Sequence, residues 1–559
     1  MIPLGRGAIA HVQYTGDEAA NDINKLLHAL VENEDDFDRW EALVTRATDL
    51  EGGVTRNSNP SAIDLVRNVY DCFLAKFPLF YGYWKKYADL EFSIGGTETA
   101  EMVYERGVSC NMTSVDLWAN YCSFKMDTSH DSDVIRELFE RAAGFLSLDF
   151  SSHPFWDKYI EFEERSQEPR NVLKLWIRAF SQPSVYASKY WEKFAQAVGT
   201  HPIEDLVEPE LLDTLQKQVN LANQGQPEKA PLELERQIRL AIYEHYGQTW
   251  TRIQAEVSGR WTFEQEIKRP YFHVTELEQP DLDNWHKYLD FEEKEGDFER
   301  TAYLYERCLS ICALYEEYWL RYVRWMFAQG KDENTRIIYN RASCIFVSIS
   351  SPTIRLNWAR FEEKLGRTSV ARDIYISILE QAPGHHETLL SLANIERRQE
   401  GNDAAVRLLE EYISQTDTQT GGVLAAEQVR ILWQCKGATD EARSIFQDKH
   451  ERFAASSDFW LKYLEFEVAQ PSTDQEESHK RVKNVYNLAK RMYTADAKAL
   501  ARYYMDFLMK RGGKDAAEEY MQLDKEVNGY VSSAKSAAPS HPQKRKGQPH
   551  SAANKRHRN

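Results

Sequence analysis

Four glutamates are the residues whose type and spacing could point to acid–base chemistry, since each closes the same helical motif, Trp-x-x-Tyr-x-x-x-Glu. They are Glu91, Glu163, Glu292 and Glu467. Catalytic carboxylates must converge on one substrate, whereas these glutamates lie far apart in the sequence and occur once per motif. We therefore expect each one to form a hydrogen bond or ion pair between the two helices inside its own repeat, with the arginines of the repeat described below as partners.

Metal and nucleophile chemistry has little support in the sequence. Cys308 and Cys312 lie four residues apart and His385-His386 is a histidine doublet, but a metal site needs three or four convergent ligands and no third ligand is near. The seven cysteines show no Cys-x-x-Cys spacing and fit reduced core thiols. Phosphate-loop, dinucleotide-binding and hydrolase motifs do not occur. We predict no catalytic residue and no cofactor.

The elements that carry these residues repeat along the chain. One position of a second helical motif, which we call the aromatic slot, recurs ten times, at spacings of 34, 35, 37, 129, 34, 36, 34, 37 and 40 residues. A near-constant period in this range predicts a solenoid of stacked helix pairs. Nine slots are aromatic and one is leucine: Tyr70, Tyr104, Phe139, Trp176, Tyr305, Tyr339, Tyr375, Leu409, Phe446 and Tyr486.

The glutamate motif lies about twenty residues before most slots and forms the first helix of each repeat. Steps of three and four residues put its Trp, Tyr and Glu on one stripe of a helix. The second helix carries the slot, in several repeats with an arginine two residues later. Neither helix buries its stripe alone, so stacked neighbours must form one core. The predicted repeat-core residues are Trp84, Tyr87, Tyr104, Trp118, Tyr121, Trp156, Tyr159, Trp285, Tyr288, Tyr305, Trp319, Tyr322, Tyr339, Trp460 and Tyr463.

This two-helix pattern resembles the half-a-tetratricopeptide repeat over most of residues 35–510. The resemblance implies an all-α solenoid of tetratricopeptide-like helix pairs, in two arrays joined by a linker helix. The predicted segments are a lead-in over 1–34, an N-terminal array over 35–199, a linker over 200–280 with a bridging helix at 232–256, a C-terminal array over 281–530, and a disordered basic tail over 531–559.

Charge and hydropathy favour a protein partner. The chain has a net charge of −18, and residues 1–540 alone carry 63 Lys and Arg against 87 Asp and Glu. Non-specific phosphate binding needs clustered cations, so this acidic body disfavours a nucleic-acid partner. No run of eighteen apolar residues occurs, and the first residues lack the pattern of a secretory signal. We expect neither a membrane span nor a small-molecule substrate.

Residues 77–87, 260–274 and 312–319 together resemble the pre-mRNA-processing factor 39 family, and the resemblance extends over roughly 60–510. It implies a nuclear splicing factor of the U1 small nuclear ribonucleoprotein that helps 5′ splice-site recognition through protein contacts. It also implies dimerisation through the C-terminal repeats, with an identical chain or a related repeat protein. Two alternatives stay open: a repeat scaffold in mRNA 3′-end cleavage or rRNA processing, and a direct RNA-binding protein.

The inter-array segment, residues 260–274, mixes cations with aromatic side chains and allows two interpretations. In the first it is a structural plug that fixes the angle between the arrays, with Pro270 ending a helix and the aromatic residues packed. In the second, Lys268 and Arg269 line a ligand groove. The residues singled out are Arg260, Trp261, Phe263, Lys268, Arg269, Pro270, Tyr271 and Phe272.

Two features near the C-terminus suggest contacts with other proteins. The end of the C-terminal array is rich in apolar residues that a terminal repeat should not expose, which predicts a dimer interface near 440–530. Its candidates are Trp460, Phe466, Tyr486, Tyr503, Tyr504 and Phe507. Two basic clusters in the tail fit either a nuclear import signal or a solvated tail. Their members are Lys544, Arg545, Lys546, Lys555, Arg556 and Arg558.

Overall fold

The computed structural model of the chain describes Ile9, 12–14, 20–224, Pro227, 229–493 and 497–529. Within these residues the secondary structure is helical, with no strand. The all-α repeat class predicted from the sequence is therefore confirmed. The chain forms two compact units, one ending at Val347 and the other beginning at Ser348. This division lies inside the predicted C-terminal array, so the compact units differ from the two predicted arrays.

The first unit contains seventeen α-helices among its described residues, and a π-helical turn, Ala342–Phe346, follows the last of them. The helices are α1 Ala20–Glu32, α2 Phe37–Thr48, α3 Pro60–Lys76, α4 Tyr81–Gly95, α5 Thr97–Cys110, α6 Val115–Thr128, α7 Ser132–Leu146, α8 His153–Arg165, α9 Pro169–Phe180, α10 Ala187–Thr200, α11 Ile203–Leu206, α12 Pro209–Ala222, α13 Pro231–Gln265, α14 Gln279–Glu295, α15 Phe298–Cys312, α16 Glu316–Ala328 and α17 Asp332–Arg341.

The second unit continues the alternation of short helices, with a π-helical turn at Ile431–Lys436. Its helices are α18 Thr353–Lys364, α19 Thr368–Gln381, α20 His386–Gln399, α21 Asn402–Gln415, α22 Thr418–Arg430, α23 Thr439–Lys449, α24 Ser457–Ala469, α25 Gln475–Met492, α26 Ala497–Arg511 and α27 Ala516–Asn528.

Tight connectors turn the chain between the two helices of a repeat. After α14, Gly296 adopts φ 81°, a left-handed conformation that glycine reaches without strain. The next residue, Asp297, caps α15 by accepting hydrogen bonds from the backbone N–H groups of Glu299 and Arg300. Between α4 and α5, Gly96 has φ 93°. These connectors are short, so consecutive helices lie antiparallel and side by side.

Aromatic rings join each repeat to the next one. In six repeats the ring in the aromatic slot stacks on a tyrosine of the helix that follows, and Phe263 at the end of α13 does the same. The centroids are 4.4–5.1 Å apart and the planes lie within 14° of parallel. Such offset stacks add to the burial of the rings themselves. The pairs are Tyr70–Tyr87, Tyr104–Tyr121, Phe139–Tyr159, Phe263–Tyr288, Tyr305–Tyr322, Phe446–Tyr463 and Tyr486–Tyr504.

The motif tryptophans fill the interior and also hold the connector before their helix. In four cases the indole Nε1–H donates to the backbone carbonyl six residues upstream, for example from Trp84 to Pro78 at 2.8 Å and from Trp460 to Ala454 at 3.0 Å. This bond satisfies a carbonyl that would otherwise be buried without a partner. All fifteen residues predicted for the repeat core are at most 8% exposed.

The apolar residues predicted at the dimer interface lie inside the second unit. Five of them are at most 6% exposed and belong to one continuous core with the helices from α18 to α27: Trp460, Phe466, Tyr486, Tyr504 and Phe507. The sixth, Tyr503, is partly buried against the same core. The expectation that these side chains are exposed is therefore wrong, because they pack into the core that the helices of the second unit share.

The predicted linker over 200–280 is largely helical. Residues predicted as a loop form α11 and α12, and the bridging helix expected at 232–256 extends over Pro231–Gln265. It therefore ends five residues before Pro270, which does not itself stop the helix. Within the predicted lead-in, the described residues include α1. The predicted tail over 531–559 lies outside the described residues.

Replacing Trp460 by alanine removes a fully buried, hydrogen-bonded indole from the second unit. We expect Trp460→Ala to lower the free energy of unfolding of this unit by about 3–5 kcal/mol, the usual cost of truncating a buried large aromatic residue. Denaturant titration followed by far-ultraviolet circular dichroism measures it. Ile376→Ala, at a side chain that is 43% exposed on α19, is the control and should cost about 1 kcal/mol or less. Equal losses would contradict the role assigned to Trp460.

Candidate protein-interaction site: the repeat ladder and the junction of the arrays

The four motif glutamates are buried, and each one forms an ion pair with a single arginine. Each is at most 4% exposed and accepts two hydrogen bonds from one arginine guanidinium, as between Arg260 and Glu292 at 2.6 and 3.0 Å. The arginine lies three residues before the preceding aromatic slot. The pairs are Arg67–Glu91, Arg136–Glu163, Arg260–Glu292 and Arg443–Glu467. The carboxylates are held apart, one per repeat, and none faces a second carboxylate of this set.

The expectation is wrong in two respects. Each pair joins neighbouring repeats and not the two helices of one repeat, and the arginines are not those that follow the slot by two residues. Those arginines bind a different acid, the residue directly after the preceding slot, as Arg141 binds Glu105 at 2.6 Å. The motif tyrosine donates to the same acid, as Tyr121 does at 2.7 Å. We call this set of arginine–acid pairs the second ladder. Its acids are Asp71, Glu105, Glu140, Glu264 and Glu306.

The arginine of the second ladder also lies over the motif tryptophan of its own repeat. The guanidinium carbon is 5.2–5.4 Å from the ring centroid in four repeats. This geometry is typical of a cation–π contact. The pairs are Arg106–Trp84, Arg141–Trp118, Arg178–Trp156 and Arg341–Trp319. The polar groups that recur in the repeat are therefore used within the solenoid.

The C-terminal end of α13 supplies a repeat position that the spacing of slots did not reveal. Phe263 stacks on Tyr288 with centroids 5.1 Å apart, as the slot residues of other repeats do. Arg260, three residues earlier, binds Glu292, and Glu264, one residue later, binds Arg307 at 2.5 and 2.7 Å. Residues 260–264, at the end of α13, thus occupy the position of the second helix of a repeat.

A second set of buried polar contacts joins this part of the first unit to its earlier repeats. The Tyr303 hydroxyl on α15 donates to Asp149 at 3.0 Å, and Arg307 lies 3.4 Å from the same carboxylate. Arg300 donates to the Gln182 side chain at 2.8 Å. These bonds link residues more than a hundred positions apart, so they fix α15 against the repeats before α10.

Burial and neighbouring charges shift the pKa values of three side chains at this junction. Burial raises the pKa of Tyr303 well above its usual range, so the phenol stays a neutral donor to Asp149. Burial and the nearby charge of Arg260 lower the pKa of the Arg300 guanidinium. At Arg307 burial acts in the same direction, but Glu264 and Asp149 outweigh it and raise the pKa. The junction is therefore a compact group of paired charges in a desolvated setting.

The rest of the inter-array segment is divided between packed and exposed side chains. Phe272 is 4% exposed and packs edge-on against Phe80, with centroids 5.1 Å apart. Trp261 and Tyr271 are 40% and 47% exposed. The packing expected of a plug is thus present at Phe272, and Phe263 is packed as part of a repeat. It is largely missing at Trp261 and Tyr271.

The cations of the segment lie close to its own chain. The Arg269 Nη1 donates to the backbone oxygen and the hydroxyl of Thr275, at 3.1 and 2.8 Å. The exposed ammonium of Lys268 is 3.9 Å from Glu278 and from Asp281. Pro270, between these cations and Tyr271, is exposed in the irregular stretch that follows α13. The ligand groove suggested for Lys268 and Arg269 stays a prediction.

The other candidate residues have local roles. Cys308 and Cys312 are fully buried, and burial raises the pKa of the Cys308 thiol. His385 caps α20 by accepting from the backbone N–H of Thr388.

Within the described parts of the chain, no three His, Cys, Asp or Glu side chains are grouped so that they could hold a metal, and no helix is long and apolar enough to cross a membrane. The six residues of the predicted import signal lie outside the described residues.

Comparison with known proteins gives two family models that match this chain. One, described as PRP39 N-terminal HAT repeat, matches residues 24–196, and the other, PRP39 C-terminal HAT repeat, matches residues 258–398. The second match begins just before Arg260 and Phe263, in agreement with the repeat contacts found there. The boundaries of the two models also leave most of the predicted linker unmatched.

Similar proteins include relatives with the same family name. A Schizosaccharomyces pombe protein, Pre-mRNA-processing factor 39, is 44% identical over 518 residues, covering 89% of this chain and 85% of the relative. Its Xenopus laevis namesake is 32% identical over 452 residues, covering 76% and 70%. The Saccharomyces cerevisiae protein named U1 small nuclear ribonucleoprotein component PRP42 is 24% identical over 306 residues, covering 52% and 55%.

Replacing Arg307 by methionine leaves Asp149 and Glu264 buried without this counter-charge. We expect Arg307→Met to lower the free energy of unfolding of the first unit by about 3–5 kcal/mol, as when one partner of a buried ion pair is removed. Hydrogen exchange of the α15 amides and calorimetry measure the loss. The control Lys217→Met breaks an exposed pair with Asp213 and should cost less than about 1 kcal/mol. Unchanged protection of α15 in Arg307→Met would show that the junction does not stabilise the unit.

Proposed function

The chain belongs to the pre-mRNA-processing factor 39 family, and we propose that it is a non-catalytic scaffold of the U1 small nuclear ribonucleoprotein. It would act in pre-mRNA splicing, at 5′ splice-site recognition and early spliceosome assembly, through protein–protein contacts. The match to both repeat models of the family is the observation that carries this proposal. The relative whose name includes the U1 particle supports the choice of particle.

The structure supports binding as the mechanism. The charged and aromatic residues that recur in the repeat pair with one another, and what remains for a partner is the surface of the stacked helices. Such a surface holds extended segments or neighbouring subunits, with affinity supplied by a few anchor residues. The relatives are named as a pre-mRNA-processing factor and as a component of the U1 small nuclear ribonucleoprotein. We accordingly propose no catalytic activity, cofactor or small-molecule substrate for this chain.

Charge supports protein contacts over RNA contacts. Residues 1–347 contain 37 Lys and Arg against 58 Asp and Glu, a net charge of −21. Because phosphate groups are repelled by such a surface, we propose that RNA contact is indirect or minor. We also propose a nuclear location, as splicing requires. The basic clusters of the tail are candidates for the import signal, and a solvated tail without a receptor is the alternative.

We propose that the second unit also mediates dimerisation, with an identical chain or a related repeat protein. The buried aromatic residues of α24 to α26 cannot supply the contact surface, but two methionines near the end of the unit can. Met509 and Met521 are 62% and 67% exposed. Methionine is adaptable and common at binding surfaces.

An affinity pull-down of the tagged full-length chain from nuclear extract tests the scaffold role. We expect U1 particle proteins to be enriched over a tag-only control, and to remain after ribonuclease treatment, because protein contacts hold them. Recovery that disappears with ribonuclease would favour direct RNA binding. Enrichment of mRNA 3′-end cleavage or rRNA-processing proteins in place of U1 proteins would refute the choice of particle.

Light scattering of the purified chain tests the dimer. We expect the mass of a dimer at micromolar concentration, and a shift to monomer when Met509 and Met521 are both replaced by lysine, since charge at the centre of an interface is costly. The matched control is Ile376→Lys, at an exposed position on α19. A monomeric wild-type chain would refute self-association, and an unchanged dimer in the double variant would place the interface elsewhere.

A further inference from the structure

An apolar groove lies in the first unit between its earlier repeats and the helices from α15 to α17. Its volume is about 370 Å³. One wall contains Met112 and Phe145, and the other contains Leu309, Ile345 and Phe346. Met112, Phe145 and Ile345 are each more than a third exposed. We call this the inter-array groove.

The two walls of the inter-array groove are built alike. Phe145 stacks on Trp118 with centroids 5.6 Å apart, and Phe346 stacks on Trp319 at 5.4 Å. Each tryptophan also has an arginine of the second ladder over its ring, Arg141 or Arg341. The aromatic walls are thus fixed by repeat contacts before any partner arrives, which reduces the entropy lost on binding.

Three polar side chains of the groove already have partners within the chain. Arg341 binds Glu306 at 2.6 Å, and the hydroxyls of Ser109 and Ser310 each donate to a backbone carbonyl of their own helix at 2.7 Å. A charged group entering the groove would lose water and find its possible counter-ions engaged, which is costly. The part of a partner that enters should therefore be apolar and uncharged.

The net charge of the whole first unit indicates what should flank that apolar part. The unit that contains the groove carries a net charge of −21 over residues 1–347. An acidic surface attracts segments rich in Lys and Arg and repels acidic ones, more strongly at low ionic strength. A groove of this size lies at the small end of known binding cavities and fits one or two large side chains.

We propose that the inter-array groove binds an extended segment of a partner protein in which a bulky uncharged apolar side chain is flanked by lysine or arginine. The inference deepens the scaffold role and rests on it for its biological setting, but the binding itself is measured independently of the U1 particle. A nucleic acid or an acidic peptide would face the same repulsion from the first unit, so neither fits the groove as well.

Gly144 offers a way to fill the groove without disturbing the fold. It lines the groove on α7, and a Cβ built on it meets no other atom within 4 Å. A side chain placed there points into open space in an ordinary helical conformation. Gly199 on α10 is equally open, exposed and near the end of its helix, and is not among the groove residues. Gly144→Trp and Gly199→Trp are therefore a matched pair.

The test uses a phage-displayed library of random peptides selected on the full-length chain. We expect enriched peptides to combine a large apolar residue with neighbouring Lys or Arg. Fluorescent copies of these peptides should bind Gly144→Trp at least about tenfold more weakly than the wild-type chain, as expected when an anchor pocket is filled. Binding to Gly199→Trp should be unchanged, and added salt should weaken binding to the wild-type chain. Circular dichroism checks that both variants are folded.

Three results would overturn the proposal: no enriched peptides, enriched peptides with acidic flanks, or equal binding to Gly144→Trp and the wild-type chain. The U1 pull-down separates this inference from the proposed function. Loss of peptide binding in Gly144→Trp with U1 proteins still recovered would support the groove and place the U1 contact elsewhere. Peptide binding by a chain that recovers no U1 proteins would support the groove and refute the scaffold role.

Discussion

The fold depends on buried carboxylates that are each paired with an arginine of the preceding repeat. Glu292, for example, is 3% exposed and would be strongly destabilising without Arg260. The aromatic stack follows the same rule, since the slot ring of one repeat rests on the tyrosine of the next. A repeat taken alone would therefore expose half of each contact. This dependence on neighbours explains why the core runs continuously through each unit and why single repeats are not independent domains.

The same contacts extend through the junction of the two predicted arrays. α13 begins as a separate helix beside α12 and ends as the second helix of a repeat, with Phe263 on Tyr288 and Glu264 on Arg307. The bonds of Asp149 with Tyr303 and Arg307 then tie that repeat back to the earlier ones. Buried charge of this kind contributes less to net stability than apolar packing of equal size, but it tolerates few alternative arrangements. The junction thus holds the walls of the inter-array groove at a set separation.

Periodicity predicted the helical class, the slots and the buried tryptophans, because a repeating stripe must be covered by its neighbours. The sequence pattern did not identify Phe263 as a slot, because its neighbours differ from those of other slots. Thr262 stands where other repeats have an aliphatic residue, and Gln265 stands where they often have an arginine. The arginine partners of the motif glutamates lie in a different repeat, a pairing that spacing within one repeat does not reveal. The burial of Trp460 and Tyr504 depends on how the last helices pack. Composition alone cannot distinguish an apolar end that is covered from one that is exposed.

The pairing of the charged residues supports the proposed binding role of the solenoid. A catalytic site needs ionisable groups that are accessible and free to change partners, whereas here the recurrent carboxylates and guanidinium groups are locked to one another. Binding needs only a surface of fixed shape, and the ion pairs inside the solenoid hold that surface in place. The groove walls illustrate this, since Phe145 and Phe346 keep their positions through tryptophans that the ladder arginines hold. Because the carboxylates and guanidinium groups of the repeat pair with one another, the surface that is left for a partner is rigid and apolar.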